Sequence, residues 1–345
     1  MATLIRKHWQ MISVYSFTHF LVDFACAFLM FRSIAAAPDW YLYVLIYNFC
    51  AFALQMPLGI LADRWNRNFL IAVIGCLLVG AAFGLGQVPL AAVLALGLGN
   101  ALFHIGGGID VLNISTEKMG ALGIFVAPGA LGIYFGTSLG KGDNFPAIVI
   151  LLGLVVLAGL IIAMRRKKGK SYPQNAVFSL EIGNNYQLLI AAICLFLVVC
   201  LRSYVGLALN FPWKVIGNWG MILVCAVVFG KVAGGFAADS WGIKRTVFFS
   251  LAIAALLFLF PGIPPAGIGA VLLFNLTMPI TLWLMAKIFP GAKGFSFGLL
   301  TFALFLGFLP LYLGLNIPGG AFCFFTLATI ASLLLLGLGI RRIKL

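Results

Sequence analysis

The chain has 345 residues, of which 63% are hydrophobic and only 9% are charged, and its mean hydropathy is +1.14. Water-soluble domains are about half apolar, so this composition excludes a soluble enzyme or a soluble binding domain. The formal net charge of +14 comes from basic residues that lie between apolar runs. It therefore indicates membrane topology and not a nucleic-acid-binding face.

Apolar runs separated by polar breaks predict an all-α integral membrane protein with twelve transmembrane helices. Each run has roughly the 20 residues needed to cross a hydrocarbon core of about 30 Å. The predicted helices lie near 10–32, 40–61, 69–86, 89–109, 120–139, 145–164, 187–209, 215–237, 246–261, 265–288, 294–314 and 318–340. We expect an N-terminal six-helix bundle at 1–164, a cytoplasmic linker at 165–186 and a C-terminal six-helix bundle at 187–345.

Basic residues are distributed unevenly between the two sides of this topology. One side receives only Arg32, Lys141 and Lys214, and the other side receives most of the remainder, including the cluster that opens the linker. The positive-inside rule then places both termini and the linker in the cytoplasm. We expect a multi-pass protein of the bacterial inner or plasma membrane.

The first predicted helix carries Tyr15, His19 and Asp23 at intervals of four residues, which puts all three on one face. Titratable groups in the hydrocarbon region are costly and usually have a purpose. A carboxylate beside a histidine favours the protonated imidazole, so the pair suits proton uptake and release. The alternative is a buried pair that only fixes helix packing.

The loop after the second predicted helix has a counterpart in the second half of the chain. Gly59, Ala62, Asp63 and Trp65 align with Gly235, Ala238, Asp239 and Trp241, an offset of 176 positions between Asp63 and Asp239. This spacing is close to half the chain and indicates a duplicated six-helix unit. The loop also resembles the motif Gly-x-Leu-Ala-Asp-Arg-x-Gly-Arg-Arg/Lys of the major facilitator superfamily of secondary transporters.

The resemblance implies the major facilitator fold and a conformational gate at the cytoplasmic side. Small residues let helices approach closely, and an aspartate at a helix end can accept from the N-terminus of a neighbouring helix. The predicted gate comprises Gly59, Asp63, Arg64, Arg67, Asp110, Gly235, Asp239, Lys244 and Arg245. The alternative is a plain charged turn that obeys the positive-inside rule.

The fourth and fifth predicted helices carry two further patterns. Asn100 and His104 share one face of the fourth helix, which the resemblance places beside the first helix at a central cavity. Gly123, Pro128 and Gly132 in the fifth helix are similar to a motif of the superfamily's antiporters, or else allow close packing and a kink. The glycine-rich stretch around His104, with His19, also looks like the fosmidomycin-resistance exporters.

The seventh predicted helix contains Arg202, with Asn210 eight residues further along roughly the same face. A guanidinium at such depth needs an acidic partner, water or an anionic ligand. The two candidate partners of the Arg202 guanidinium are Asp23 and an anionic group of the substrate. Weaker polar candidates for the substrate pathway are Asn48, Gln55, Asn275 and Thr277.

These patterns predict a proton-coupled secondary transporter of a small organic solute, acting as a monomer without a cofactor, and more in keeping with an exporter or antiporter than with an importer. The main alternative is a divalent-metal transporter of the same fold that uses His19, Asp23 and His104. An enzyme has little support, because the GxSxG pattern at Gly294–Gly298 has no histidine after it in the chain. A non-transporting receptor or scaffold of the same fold is a further alternative, but the sequence shows no extra domain that would deliver a signal.

Overall fold

The computed structural model describes residues 2–142, 145–166, 174–181, 185–315 and 321–343, and within these ranges the chain forms helices and connecting turns. The helices are α1 (Ala2–Leu29), α2 (Trp40–Asn48), α3 (Gln55–Trp65), α4 (Asn68–Ala82), α5 (Pro89–Ile114), α6 (Gly120–Val126), α7 (Gly129–Lys141), α8 (Ala147–Arg166), α9 (Tyr186–Ala208), α10 (Trp219–Trp241), α11 (Ile243–Leu257), α12 (Pro264–Asn275), α13 (Thr277–Ile288), α14 (Lys293–Tyr312) and α15 (Ala321–Arg342). Short π-helical stretches follow α1 (Met30–Ile34) and separate α2 from α3 (Phe49–Ala53).

Within the described ranges the fifteen helices group into twelve segments, in agreement with the predicted fold class. Three crossings are each built from two helices, namely α2 with α3, α6 with α7, and α12 with α13. In the described ranges, eleven segments are long and apolar enough to cross a bilayer. The twelfth, α11, has 15 residues and so spans about 22 Å.

The predicted and observed ends differ where turn residues intervene. The prediction carried the ninth helix to residue 261, but α11 ends at Leu257 ahead of Pro261. Pro261 lacks the N–H that would bond to the Leu257 carbonyl in a continuing helix, and its ring disfavours helical geometry at Phe260, so the helix does not extend to residue 261. Gly217, with a φ of +53°, delays the start of α10 to Trp219.

Helix α7 packs directly on α1 through a row of glycines. A Cβ atom at Gly132, Gly136 or Gly140 would lie 2.3, 2.3 or 2.6 Å from the carbonyl oxygens of Phe20, Phe24 and Phe28, respectively. Only a residue without a side chain permits this backbone approach, which brings α7 against the last third of α1. The glycines of the fifth crossing therefore allow the close helix packing that the sequence analysis gave as the alternative to an antiporter motif.

Gly136→Ala is expected to lower the thermal unfolding midpoint of the purified protein in detergent by several degrees. The added methyl group collides with the Phe24 carbonyl, and overpacking of this kind costs about 1–3 kcal/mol. Gly159→Ala in α8 is the matched control, because its Cβ meets no atom within 4 Å. Equal midpoints for the two variants, measured by the same melting assay, would contradict the packing argument.

Candidate functional site

Four buried side chains from α1 and α5 form a cluster in the middle of the first half of the chain. Asp23 lies 3.2 Å from Nε2 of His19 through Oδ2 and 3.7 Å from Nε2 of His104 through Oδ1. Asn100 donates a 2.8 Å hydrogen bond from Nδ2 to Asp23 Oδ1. The predicted meeting of His19, Asp23, Asn100 and His104 is therefore present in the structure, and all four are at most 9% exposed.

The hydrogen bonds of the two histidines fix which ring nitrogen carries hydrogen. His19 Nδ1 lies 2.7 Å from the Phe125 carbonyl, and His104 Nδ1 lies 2.8 Å from the Asn100 carbonyl. A carbonyl only accepts, so each Nδ1 is the donor. Nε2 of His19 then faces a carboxylate oxygen at hydrogen-bond distance, and the contact is attractive only if a proton lies between them. A proton on either atom would therefore join them by a hydrogen bond.

A break in the fifth crossing supplies the carbonyls that hold these groups. Pro128 has no backbone N–H, and the helix stops after Val126 and resumes at Gly129. The freed carbonyls of Ile124, Phe125 and Val126 accept from Ser16, His19 and Lys231, respectively. Irregular backbone at membrane depth is tolerated where polar groups satisfy it, as they do here.

Two glycines of the predicted fifth-helix motif lie at helix contacts, and Gly129 between them lies on the cluster itself. A Cβ at Gly129 would come within 2.3 Å of Asp23 Oδ2 and 2.4 Å of His19 Nε2. A Cβ at Gly123 would come within 2.7 Å of the Lys231 carbonyl of α10. Gly129 therefore lets the broken crossing cover the His19–Asp23 pair.

Arg202 is buried on α9 and is held by hydroxyl groups. Its NH2 atom donates to Thr277 at 2.9 Å and its NH1 atom donates to Thr281 at 3.2 Å, both on α13. Its Nε atom has no hydrogen-bond partner, and in the described residues no carboxylate lies within 4.0 Å of the guanidinium. The expected intramolecular pair with Asp23 is therefore absent from this conformation, and Thr277 and Thr281 take its place.

Lys231 is a second intramembrane cation, which the sequence analysis did not single out. It lies in the middle of α10, and its Nζ donates to the Val126 carbonyl at 3.2 Å. It is close enough to Asp23 and to Arg202 to interact electrostatically with both. A lone lysine within 23 mostly apolar residues was the available signal, because such a charge rarely faces lipid at mid-membrane.

Tyr15, one turn before His19 on α1, bonds to a carboxylate outside the cluster. Its hydroxyl donates to Asp110 at 2.7 Å, and Asn68 donates to the other carboxylate oxygen at 2.8 Å. Asp110 is fully buried one turn before the end of α5, so its contacts with these two residues lie within the first half. The bonds from Tyr15 and Asn68 to Asp110 tie α1, α4 and α5 together.

The weaker pathway candidates mostly bond to their own helices. Asn48, Gln55 and Asn275 donate to the carbonyls four residues earlier, and Gln55 Oε1 has no partner. Asn210 lies exposed beyond the end of α9 at Ala208, so it does not share a helix face with Arg202. An eight-residue spacing places two residues together only if the helix continues between them.

Both loop aspartates lie at helix N-termini of the opposite half. Asp63 accepts from the backbone N–H groups of Gly294 and Phe295 at 2.8 and 2.9 Å, at the start of α14. Asp239 accepts from those of Met119 and Gly120 at 2.8 and 3.0 Å, at the start of α6. A carboxylate is favoured there by the unsatisfied N–H groups and the helix dipole.

Small residues make these two aspartate contacts geometrically equivalent. A Cβ at Gly59 would meet the Gly294 carbonyl at 2.2 Å, and one at Gly235 would meet the Met119 carbonyl at 2.6 Å. The basic residues of the two loops, Arg64, Arg67, Lys244 and Arg245, are exposed. The glycines and aspartates are therefore among the contacts between the halves at this end, together with hydrogen bonds from Trp283 to the Ser115 carbonyl and from Lys293 to Asn113.

The described part of the linker crosses this same end of the molecule. Asn175 bonds to Asn66, Asn68 and Asn113 of the first half, and the Phe178 ring lies 4.6 Å from the Arg64 guanidinium. Ser179 donates to the Gly291 carbonyl of the second half at 3.3 Å. At the opposite end Tyr41 and Tyr312 stack at 4.0 Å and exchange hydroxyl-to-carbonyl hydrogen bonds.

Comparison with solved structures places the fold. The chain is similar to the transporter FucP in its outward conformation, with 13% identity, a TM-score of 0.67 and coverage of 97% of this chain and 99% of that chain. It is also similar to a bacterial homologue of the iron transporter ferroportin, with 15% identity and a TM-score of 0.66, and to the human organic anion transporter MFSD10, with 14% identity and a TM-score of 0.66. Both similarities cover 96% of this chain and 99% of the other chain. No family model and no curated protein sequence matches the chain.

These similarities extend over nearly the whole of each compared chain. The chain therefore has the fold of major facilitator superfamily transporters, as the loop motifs predicted.

Proposed function

We propose that the protein is a secondary transporter that moves a small organic anion by alternating access, with transport coupled to protons at the His19–Asp23–His104 cluster. The major facilitator fold supports the general class. The observation that carries the choice of an anion is Arg202, a buried guanidinium with hydroxyl partners. Among the described residues its Nε has no hydrogen-bond partner and no carboxylate lies within ion-pair distance. An unpaired buried cation is costly unless a ligand neutralises it.

We call the region between the His19–Asp23–His104 cluster and the cations Arg202 and Lys231 the centre. Its charges support coupling between the proton and the anion. Asp23 makes its contacts with His19, His104 and Asn100, all in the first half, whereas Arg202 and Lys231 belong to the second half. A proton added to the cluster makes the centre more positive and so strengthens anion binding. Proton and anion would then bind together, which differs from the exchange predicted from the fifth-helix motif.

Binding together does not fix the direction of net transport, because the solute and proton gradients set it. We retain export as the direction for a solute that accumulates inside the cell. The aspartate contacts at the linker end would open and close during the cycle, and that end would face the cytoplasm as the positive-inside rule predicts.

A divalent-metal transporter is the second candidate, because donor atoms of His19, Asp23 and His104 all lie within 4.8 Å of one another. Histidine and carboxylate are ordinary ligands for transition metals. Against this candidate, the cation would enter a centre that already contains Arg202 and Lys231. Like charges in a low-dielectric region repel strongly, so the anion is favoured.

Ligand-induced thermal stabilisation of the purified protein tests the choice. Organic anions, organic cations and the divalent ions Mn²⁺, Co²⁺ and Zn²⁺ would be compared at pH 5.5 and pH 7.5. We expect an organic anion to raise the unfolding midpoint, and more so at the lower pH, since a ligand that binds only the folded state stabilises it by mass action. Stabilisation by a metal ion alone would reject the anion and favour the second candidate.

A further inference from the structure

The second half of the centre holds two cations, and each lacks a carboxylate partner in the described residues. Lys231 lies on α10 between Gly230 and Gly234, whose Cβ positions would come within 2.3 and 2.0 Å of the carbonyls of Leu272 and Leu276. Thr277, which follows Leu276, accepts a hydrogen bond from the Arg202 guanidinium. Lys231 and Arg202 therefore flank the same junction of α12 and α13.

The ammonium of Lys231 is held by a weak acceptor. Its Nζ donates to the Val126 carbonyl, one of those that the break at Pro128 leaves free. A neutral carbonyl satisfies one of the three donors of an ammonium group and does not neutralise its charge. The arrangement keeps the cation in place at the centre while leaving it available for an anionic ligand.

The carboxylate of Asp23 does not balance these two cations by direct contact. Its oxygens are engaged by His19, His104 and Asn100, all in the first half. Arg202 and Lys231 thus present two positive charges on the opposite side of the centre. A single carboxylate on the solute would neutralise only one of them.

We infer that the transported solute is a dianion, and that Lys231 is the residue that determines this specificity. In the bound state the Lys231 ammonium gives up its bond to the Val126 carbonyl and binds the second negative group of the solute. This inference rests on the proposed function, because it assumes that Arg202 binds the first group. The matching chemistry is a short dicarboxylate or a doubly charged phosphonate. A guanidinium suits bidentate binding of either group, whereas an ammonium acts as a point charge.

Matched pairs of acids test the inference by equilibrium binding to the purified full-length protein. Succinate would be compared with butyrate, glutarate with valerate, and phosphonoacetate with acetate. For the wild type we expect at least one dianion to bind about 10-fold or more tightly than its monoanionic partner, as the loss of one buried charge contact implies. In Lys231→Met this preference should fall to about 2-fold or less, and Lys231→Arg should restore part of it.

Lys214→Met, which removes an exposed lysine outside the helices, is the control and should keep the wild-type preference. Equal binding of both members of every pair by the wild type, or an unchanged preference in a folded Lys231→Met, would overturn the inference and leave the anion transporter standing. Failure of every anion to bind the wild type would instead reject the proposed function, and the inference with it.

Discussion

Replacing Arg202 by glutamine is expected to abolish anion binding and transport while raising the thermal stability of the protein. Glutamine keeps a donor for Thr277 or Thr281 but removes a buried charge that has no carboxylate within ion-pair distance in the described residues. Losing one partner of a buried charged contact with the ligand costs about 2–5 kcal/mol, so affinity should fall at least about 30-fold. The folded protein without ligand loses a destabilising charge, so its unfolding midpoint should rise by a few degrees.

Two measurements on the same preparation check this pair of opposite effects. Ligand titration gives the affinity and a melting curve gives the midpoint, with Arg341→Gln at the exposed end of α15 as the control. A lower midpoint together with lost binding would mean that Arg202 mainly supports the fold. Unchanged anion binding would reject its assignment to the substrate site.

Asp23→Asn is expected to uncouple transport from the proton gradient and to leave downhill movement of the anion intact. The asparagine amide can donate to Nε2 of His19 across the existing 3.2 Å contact, so the cluster keeps its shape without needing a proton. The carboxylate that makes proton binding favourable is gone. Anion affinity should therefore lose its dependence on pH between 5.5 and 7.5, the range in which histidines change charge.

Flux into proteoliposomes, with an imposed pH gradient of either polarity, measures this uncoupling. In the wild type, the gradient should drive accumulation of the anion on the alkaline side, because proton and solute move together. Asp23→Asn should equilibrate the anion and not accumulate it, whereas the exposed Asp39→Asn should behave as the wild type. Accumulation by Asp23→Asn equal to that of the wild type would place the coupling group elsewhere.

The sequence predicted the architecture well because membrane-crossing helices are governed by length and hydropathy, which are local properties. Twelve crossings could be read from apolar runs, and the duplicated loop predicted the fold. The pairing of His19 with Asp23 also followed from local geometry, since helical residues four apart lie on one face. The contact of both with α5 agreed with the arrangement implied by the family resemblance.

The sequence did not determine contacts that depend on packing between helices or on where a helix ends. Tyr15 shares the spacing of His19 and Asp23, but the nearby Asp110 of α5 takes its hydroxyl. Asn210 was assigned to a helix face that ends before it at Ala208. Lys231 is a different case, because its position within an apolar helix was visible in the sequence but was not singled out.

The two aspartate contacts at the linker end have a symmetry that bears on the origin of the chain. Asp63 of the first half caps a helix of the second, and Asp239 of the second half caps the equivalent helix of the first. Reciprocal contacts of this kind define an isologous interface, the type that joins two identical subunits about a twofold axis. The interface between the two halves thus has the form of a homodimer interface. This form is expected if a six-helix ancestor formed a homodimer before its two copies were fused into one chain.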